Sequence, residues 1–330
     1  MKAAQSKNDL PTLDDVAKLA GVSKAVASRA LSGKNRPVSK MKKQKVIEAA
    51  NALGYVANPF AKSLTNQETG LIAVVVNHIT DLSDLTLFDN LLQAIQSQGK
   101  QTLFVRLNSK EDIEGMRHNS FIHRVDAALI FSDLIEPEVA TTLFLTQNIV
   151  MLNGKSSANG MSVVVDESIA IKTAVSRAKQ LGLNQCFLIG GRQSSPNEAR
   201  RVQYYEDYAE DADINVKGTV FCDYSYTSAS EFFKLQPADA FTDTAIFCTS
   251  DSMAMAALDF FKNNGINHQL KNIFGFDNTI FSRTDSYRFS TIGYDKNKFI
   301  DSILALISEE YSDSDNDKKH IIEAEFFPVS

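Results

Sequence analysis

Two sets of side chains in this sequence could do chemistry. The first is basic and sits at one end. Residues 1–65 hold 12 Lys/Arg against 4 Asp/Glu, a net of +8, whereas the remainder holds 22 against 36, a net of −14. Cations concentrated on one short stretch are the footprint of a polyanion-binding module, and an acidic remainder keeps the chain off nonspecific polyanions. The overall net charge of −6 conceals this division. The second set is polar. Asn77 and His78, Ser132 and Asp133, Asn153, Asp251, and Asp277 and Asn278 each lie at the end of a strand-like apolar run. Open α/β sheets bind their ligands at that end of the strands.

Other chemistries find no support. Gly190-Gly191 follows a strand-like run but lacks the GxGxxG spacing, and the chain holds no GxxxxGK[ST], GxSxG or HExxH. Its 5 histidines are scattered, so neither a metal site nor a cofactor is expected, and catalysis has no candidate centre. The 3 cysteines lack CxxC spacing, which suits a reducing cytoplasm. Apolar runs such as 71–76 fall far short of the ~20 residues a membrane span needs. The opening MKAAQSKNDLPT has no apolar stretch behind its lysines, so no signal peptide and no membrane partner are expected.

The elements that must position the two sets differ in texture. Thr12 with Asp15 predicts a capped helix over 13–20 that packs Val16, Leu19 and Ala20. Gly21 permits a sharp turn, and Ser23 caps a second helix to about Leu31, with Val26, Ala27, Ala30 and Leu31 available for packing. Ser39 caps a third from Lys40 to about Leu53, which buries some of Met41, Val46, Ala49, Ala50 and Leu53 and stops at Gly54. Three short helices with a four-residue turn between the first two fit a helix-turn-helix. Asn58 and Pro59 then open a helix of at most two turns ending at Leu64, too short to be stable alone in water.

From Gly70 onward ten apolar runs alternate with helix-like segments: 71–77, 101–107, 126–132, 148–153, 162–166, 185–191, 219–223, 244–250, 272–277 and 290–295. Helices are expected near 88–98, 136–147, 167–181, 197–209, 228–235, 252–264 and 296–311. Such alternation indicates parallel sheets covered on both faces, and ten strands favour two α/β subdomains over one. The tail after a polar loop at 312–319 shows no heptad repeat. The fold expected is a small all-α headpiece on an α/β body of two parallel-sheet subdomains. The boundaries expected are 1–57 for the helix-turn-helix headpiece, 58–69 for the short helix and linker, and 70–330 for the α/β body. Within the last, one subdomain takes about 70–165 and 295–330, the other about 166–294.

DDVAKLAGVSKAVASRALSG (14–33) followed by VIEAANALGYVANPFAKSL (46–64) resembles the headpiece of the lactose/galactose repressor family. GLIAVVV, CFLIGG, FCTSDSMAMAALDFFKNNGI and IFGFDN continue the resemblance in order, so it covers nearly the whole chain from Thr12. It implies a cytoplasmic transcription regulator, acting as a homodimeric repressor on a palindromic operator. By this pattern Lys24, Ala25 and Arg29 face the bases. Arg29 suits a guanine, Lys24 a guanine or a phosphate, and Ala25 only a thymine methyl. Ser23, Ser28 and Asn35 contact the backbone, although Ser23 serves as well as a helix cap. Asn58 opens the hinge, Lys62 stands where the family commonly has arginine, and Leu64 matches a wedge that enters a central base step. The bland alternative for Leu64 is packing on the core.

For the body the resemblance implies a two-lobed effector sensor, usually for a sugar or sugar derivative. Arg201 and Asp251 match effector-binding positions, and guanidinium and carboxylate groups grip vicinal hydroxyls bidentately. Asp251 is equally a helix N-cap and Asp277 equally a turn residue. His78, Ser132 and Asn153 complete the expected set. Three departures alter the expectation. Val26-Ala27 replaces Thr-Val in the recognition helix, HITDLSDLTLF (78–88) replaces the family's Asn-Pro-Phe loop, and Tyr204 places a bulky ring near the pocket where glycine is usual. A regulator answering to a partner protein instead of a small molecule is the remaining alternative.

Overall fold

The computed structural model describes residues 11–32, 38–55, 69–77, 79, 81–118, 124–155, 160–266, 271–308 and 318–329. The chain divides at Thr69 and Gly70 into two compact units. In the first, Thr12 and Asp15 form a capping box. The Thr12 hydroxyl accepts from the Asp15 N–H at 3.4 Å, and the Asp15 carboxylate accepts from the Thr12 N–H at 2.9 Å. This starts α1 (Leu13–Ala20), which Gly21 ends in the left-handed region at φ 65. Helix α2 (Lys24–Ser32) follows, then α3 (Lys40–Leu53).

Val16, Ala17, Ala27, Ala30, Val46, Ala49 and Ala50 form the core of this unit. Small alanines at the contacts let three short helices approach closely. Two expectations need correction, the inward packing of Leu19 and the Ser39 cap. Leu19 is 58% exposed and Met41 69% exposed. The inward stripe of α1 runs through Leu13, Val16, Ala17 and Ala20, and Leu19 falls outside it at 100° per residue. Val26 is only half-buried and is not part of this core cluster. Ser39 occupies the N-cap position of α3 but makes no side-chain capping bond.

The second unit runs β1 (Leu71–Val76), α4 (Leu82–Ser97), β2 (Gln101–Arg106), α5 (Lys110–His118), β3 (Ala127–Ile130), α6 (Pro137–Phe144), β4 (Ile149–Met151), β5 (Met161–Asp166) and α7 (Ser168–Gln180). It continues β6 (Gln185–Gly190), α8 (Pro196–Asp211), β7 (Asn215–Phe221), α9 (Tyr226–Lys234), β8 (Thr244–Cys248), α10 (Asp251–Asn263), β9 (Ile273–Phe276), β10 (Ser290–Tyr294), α11 (Lys296–Ser308) and β11 (Lys319–Phe327). The strand order is β2-β1-β3-β4-β5-β11-β10-β9-β8-β6-β7. Among the described residues every pairing between strands is parallel except that of β10 with β11.

The body is therefore two parallel half-sheets joined through one strand. Lys319–Glu323 of β11 pairs parallel with β5, and Ala324–Phe327 pairs antiparallel with β10. The runs β1, β3, β4, β8 and β9 are apolar almost throughout because helices cover both faces. Each lobe holds two core clusters, one per face: Ile72, Leu91 and Ile303 lie in one and Val75, Ile130 and Phe144 in another of the first lobe. Tyr205 and Phe247 anchor one face of the second lobe, Phe233 and Phe261 the other. Sequence reading misses β11 and α5. It also places β7 late, at 219–223 instead of Asn215–Phe221.

Candidate functional site

In the first unit, α2 presents one exposed face. Ser23, Lys24, Ala25, Ser28 and Arg29 are all exposed, while Ala27 and Ala30 turn into the core. Positions 24, 25, 28 and 29 lie on one side of a helix by its 3.6-residue period. The carbonyl of Ser23 accepts from Val26 and Ala27 and so opens the helix. Lys24 Nζ sits 2.9 Å from Asp14, with 62% and 51% of the two side chains exposed. An ion pair this exposed contributes little and yields readily to a phosphate. Arg29 Nε donates to the Ala25 carbonyl at 3.0 Å, which keeps its guanidinium against its own helix. Asn35, Asn58, Lys62 and Leu64, together with the whole expected hinge helix, lie outside the described residues.

In the body, the ends of β1, β3 and β4 in the first lobe face residues of the second across a cavity of about 240 Å³. Asn153, Arg201 and Asp277 of the expected set line it. Ser132 is fully buried behind it, its hydroxyl donating to Asn77, and Asn153 Nδ2 donates to the Ser132 carbonyl at 2.6 Å. His78 lies outside the described residues. Asp133 bridges the lobes. It bonds Asn77 of its own lobe and accepts from Ser194 Oγ of the other at 2.7 Å, with Arg192 4.0 Å away.

Arg201 does not project freely into the cavity. Its Nε and Nη2 donate to the two oxygens of Glu167 at 2.8 and 2.6 Å, and Nη1 donates to Glu198 at 3.4 Å and to the Thr249 carbonyl at 3.1 Å. The guanidinium lies flat on the Phe276 ring, 3.7 Å from its centroid. Glu198 is fully buried and also accepts from the Gly191 N–H at 2.6 Å, Thr249 Oγ1 at 2.6 Å and Tyr224 OH at 2.9 Å. Burial pushes the Glu198 carboxyl up, and Arg201 partly offsets this. Gly191 is required here, since a Cβ on it would lie 1.9 Å from the Tyr224 ring.

Asp251 is placed differently from expectation. It is fully buried and absent from the cavity wall, and its carboxylate accepts from Thr279 N–H at 2.7 Å, Thr279 Oγ1 at 2.8 Å and Thr291 Oγ1 at 2.6 Å. Burial raises its pKa to about 6 against those three bonds. The N-cap of α10 is Ser250, and Asp251 is the first helical residue. These three bonds tie the loop after β9 to α10. That loop carries Asp277, whose φ of 104 is strained for a non-glycine residue. Tyr204 also departs from expectation. It stacks on Tyr208 and packs against the apolar core of the second lobe, away from the cavity wall.

Sequence reading misses Asp81, Glu167, Glu198 and Thr249, all of which form or back this wall. One signal was available: Glu198 and Arg201 stand three apart on one helix, the spacing of an ion pair. Asp81 caps α4 by accepting from the Ser83 N–H at 2.9 Å, but a helix expected only near 88 leaves no reason to look there.

Residues 12–58 match the model of bacterial regulatory proteins of the lacI family, the stretch that contains the exposed face of α2. Over that stretch the chain is similar to that family. Residues 175–326 match a periplasmic binding protein-like domain. Catabolite control protein A of Priestia megaterium is 27% identical over 281 residues, 82% of this chain and 83% of the relative. The HTH-type transcriptional regulator DegA of Bacillus subtilis is 26% identical over 299 residues, 85% and 86% of the two chains. In fold, the chain resembles the Lac repressor dimer bound to operator and an anti-inducer, with a TM-score of 0.77 at 19% identity over 97% and 98% of the chains. It also resembles a CelR–cellobiose complex, with a TM-score of 0.66 at 20% identity over 97% and 99%. It is a DNA-binding transcription regulator and not an enzyme. Among the described residues no helix is long and apolar enough to cross a membrane.

Proposed function

We propose that this regulator is a cytoplasmic repressor that binds a palindromic operator as a homodimer and releases or grips it in response to a small sugar-like effector. The observation that carries the reading is the lined cavity at the strand ends of both lobes, bridged by Asp133 and Ser194. A ligand there makes its contacts only when the lobes close, so it shifts their equilibrium by its differential affinity. The domain boundaries that go with this reading are 1–57, 58–69 and 70–330.

In the DNA complex Arg29 reads a guanine, Lys24 a guanine or phosphate, and Ala25 a thymine methyl, while Ser23, Ser28, Asn35 and Asn58 fix the register on the backbone. Lys62 and the Leu64 wedge act in the minor groove, and the hinge folds only when the two subunits hold it there. Lac repressor bound to operator and CelR bound to cellobiose support this reading by fold alone. Selection of the purified chain against random duplexes tests it. Enrichment of a two-fold symmetric motif is expected, with binding weakened in Leu64→Ala; recovery of duplexes without symmetry, untouched by Leu64→Ala, would overturn it.

A further inference from the structure

The cavity wall carries an excess of negative charge. Asp81, Asp84, Asp133, Glu167 and Asp277 face two guanidinium groups, Arg192 and Arg201. Both guanidiniums are committed, Arg201 to Glu167 and Glu198, and Arg192 to Asp133 and Asp223. Asp81 and Asp277 have no ion pair among the described residues. Asp81 is only 6% exposed, and its Oδ2 has no hydrogen-bond partner there, while Oδ1 caps α4. A buried carboxylate oxygen without a donor is costly, and fold stability alone gives no reason to keep one. Lys296 Nζ lies on the Asp277 backbone carbonyl at 3.2 Å.

The rest of the wall suits an organic cation. Phe88 and Phe131 meet edge to face with centroids 5.1 Å apart, and Tyr294 and Phe299 pack at 5.4 Å; all four line the cavity. Aromatic faces and carboxylates together attract a protonated amine. The volume of about 240 Å³ is below the ~300 Å³ lower end of ordinary ligand pockets, so the ligand is small.

We infer that the effector carries a protonated amine on a small polyol frame, held between Asp81 and Asp277. This rests on the effector-sensing reading above. An anionic sugar acid or sugar phosphate would add to a wall in which carboxylates outnumber the cations Arg192, Arg201 and Lys296. A neutral polyol would satisfy the oxygens as acceptors and leave their charge unmatched. Burial pushes both carboxyls up, and at Asp277 the neighbouring Asp81 and Asp251 add to this; Ser83 and Ser250 oppose it at Asp81, and Lys296 and Arg201 oppose it at both.

The test is calorimetry of the full chain against two matched series: D-glucosamine, D-glucose and D-glucuronate, and D-galactosamine, D-galactose and D-galacturonate. At least one amino sugar is expected to bind roughly tenfold or more tighter than its neutral partner, a difference worth one charge-assisted contact, with the acids weakest. Asp81→Asn, which keeps the capping oxygen, and Asp277→Asn, which tolerates positive φ, should each erase that preference. Asp81→Asn should also raise the unfolding midpoint of the unliganded chain. Tightest binding by a neutral or acidic member overturns the inference and leaves effector sensing standing. No heat from any of the six counts against both. A lowered midpoint in Asp81→Asn, with preference intact in Asp277→Asn, makes these carboxylates structural and overturns the inference as well.

Discussion

Arg201 has five N–H donors, and four go to Glu167, Glu198 and the Thr249 carbonyl. The side chain therefore holds the second lobe's wall together before it touches anything else. Arg201→Met should destabilise the chain by about 3–5 kcal/mol in urea unfolding, because it strands two buried carboxylates. Arg201→Lys should recover little of this, since an ammonium cannot satisfy Glu167 through two parallel bonds. A loss below about 1 kcal/mol would show that the network is not stabilising. Asp251 gives a pH signature. Its folded pKa of about 6 lies above the ordinary 3.8, so between those values the folded state binds more protons than the unfolded one. Its contribution to stability falls as pH rises through that window and is flat above it. Compared with Asp251→Asn, the wild type should lose up to about 1.4 kcal/mol per pH unit there, read from urea midpoints. At this scale the sequence shows which residues matter better than it shows what holds them. Arg201 and Asp251 stand out by resemblance, but their partners Glu167, Thr279 and Thr291 lie 34, 28 and 40 residues away, and no local pattern links them.

Elements were legible where a single periodicity governs them. The apolar runs of β1, β3, β8 and β9 and the capped helices α1 and α10 lie close to where the sequence puts them. Strand β11 was not, because KHIIEAEFF alternates charged and apolar residues and its pairing changes from parallel to antiparallel midway. Helix α5 was missed because KEDIEGMRH is polar, with only Ile113 buried and Met116 packed against the core. The recognition helix α2 was read close to its bounds, with Val26 available for packing. The structure leaves Val26 half-buried, beside the exposed Lys24, Ala25 and Arg29. Val26→Thr adds a hydroxyl there at no core position. It should tighten operator binding about fivefold in a gel-shift titration, the worth of about one hydrogen bond. Unchanged or weaker binding would place residue 26 off the phosphate backbone.

At the scale of the whole molecule, the charge division between +8 in residues 1–65 and −14 in the rest sets how the chain meets DNA. The basic segment supplies the contacts that release counterions, while the body repels the duplex. Binding should therefore weaken steeply with salt, with a slope of log K against log salt of several units, about −0.9 per phosphate neutralised. A slope near zero would mean that the lysines of α3 and its surroundings stay in solvent.

The central proposal is that α2 carries a base-reading face and that Leu64 acts as a wedge in the operator. Operator affinities of the wild type, Arg29→Ala and Leu64→Ala, measured side by side on the selected palindrome at one salt concentration, test it most directly. Each variant should bind about tenfold or more weaker, a loss of roughly 1–3 kcal/mol. Arg29→Ala should also relax preference at a guanine in each half-site. Affinities equal to the wild type, with preference unchanged, would contradict the account.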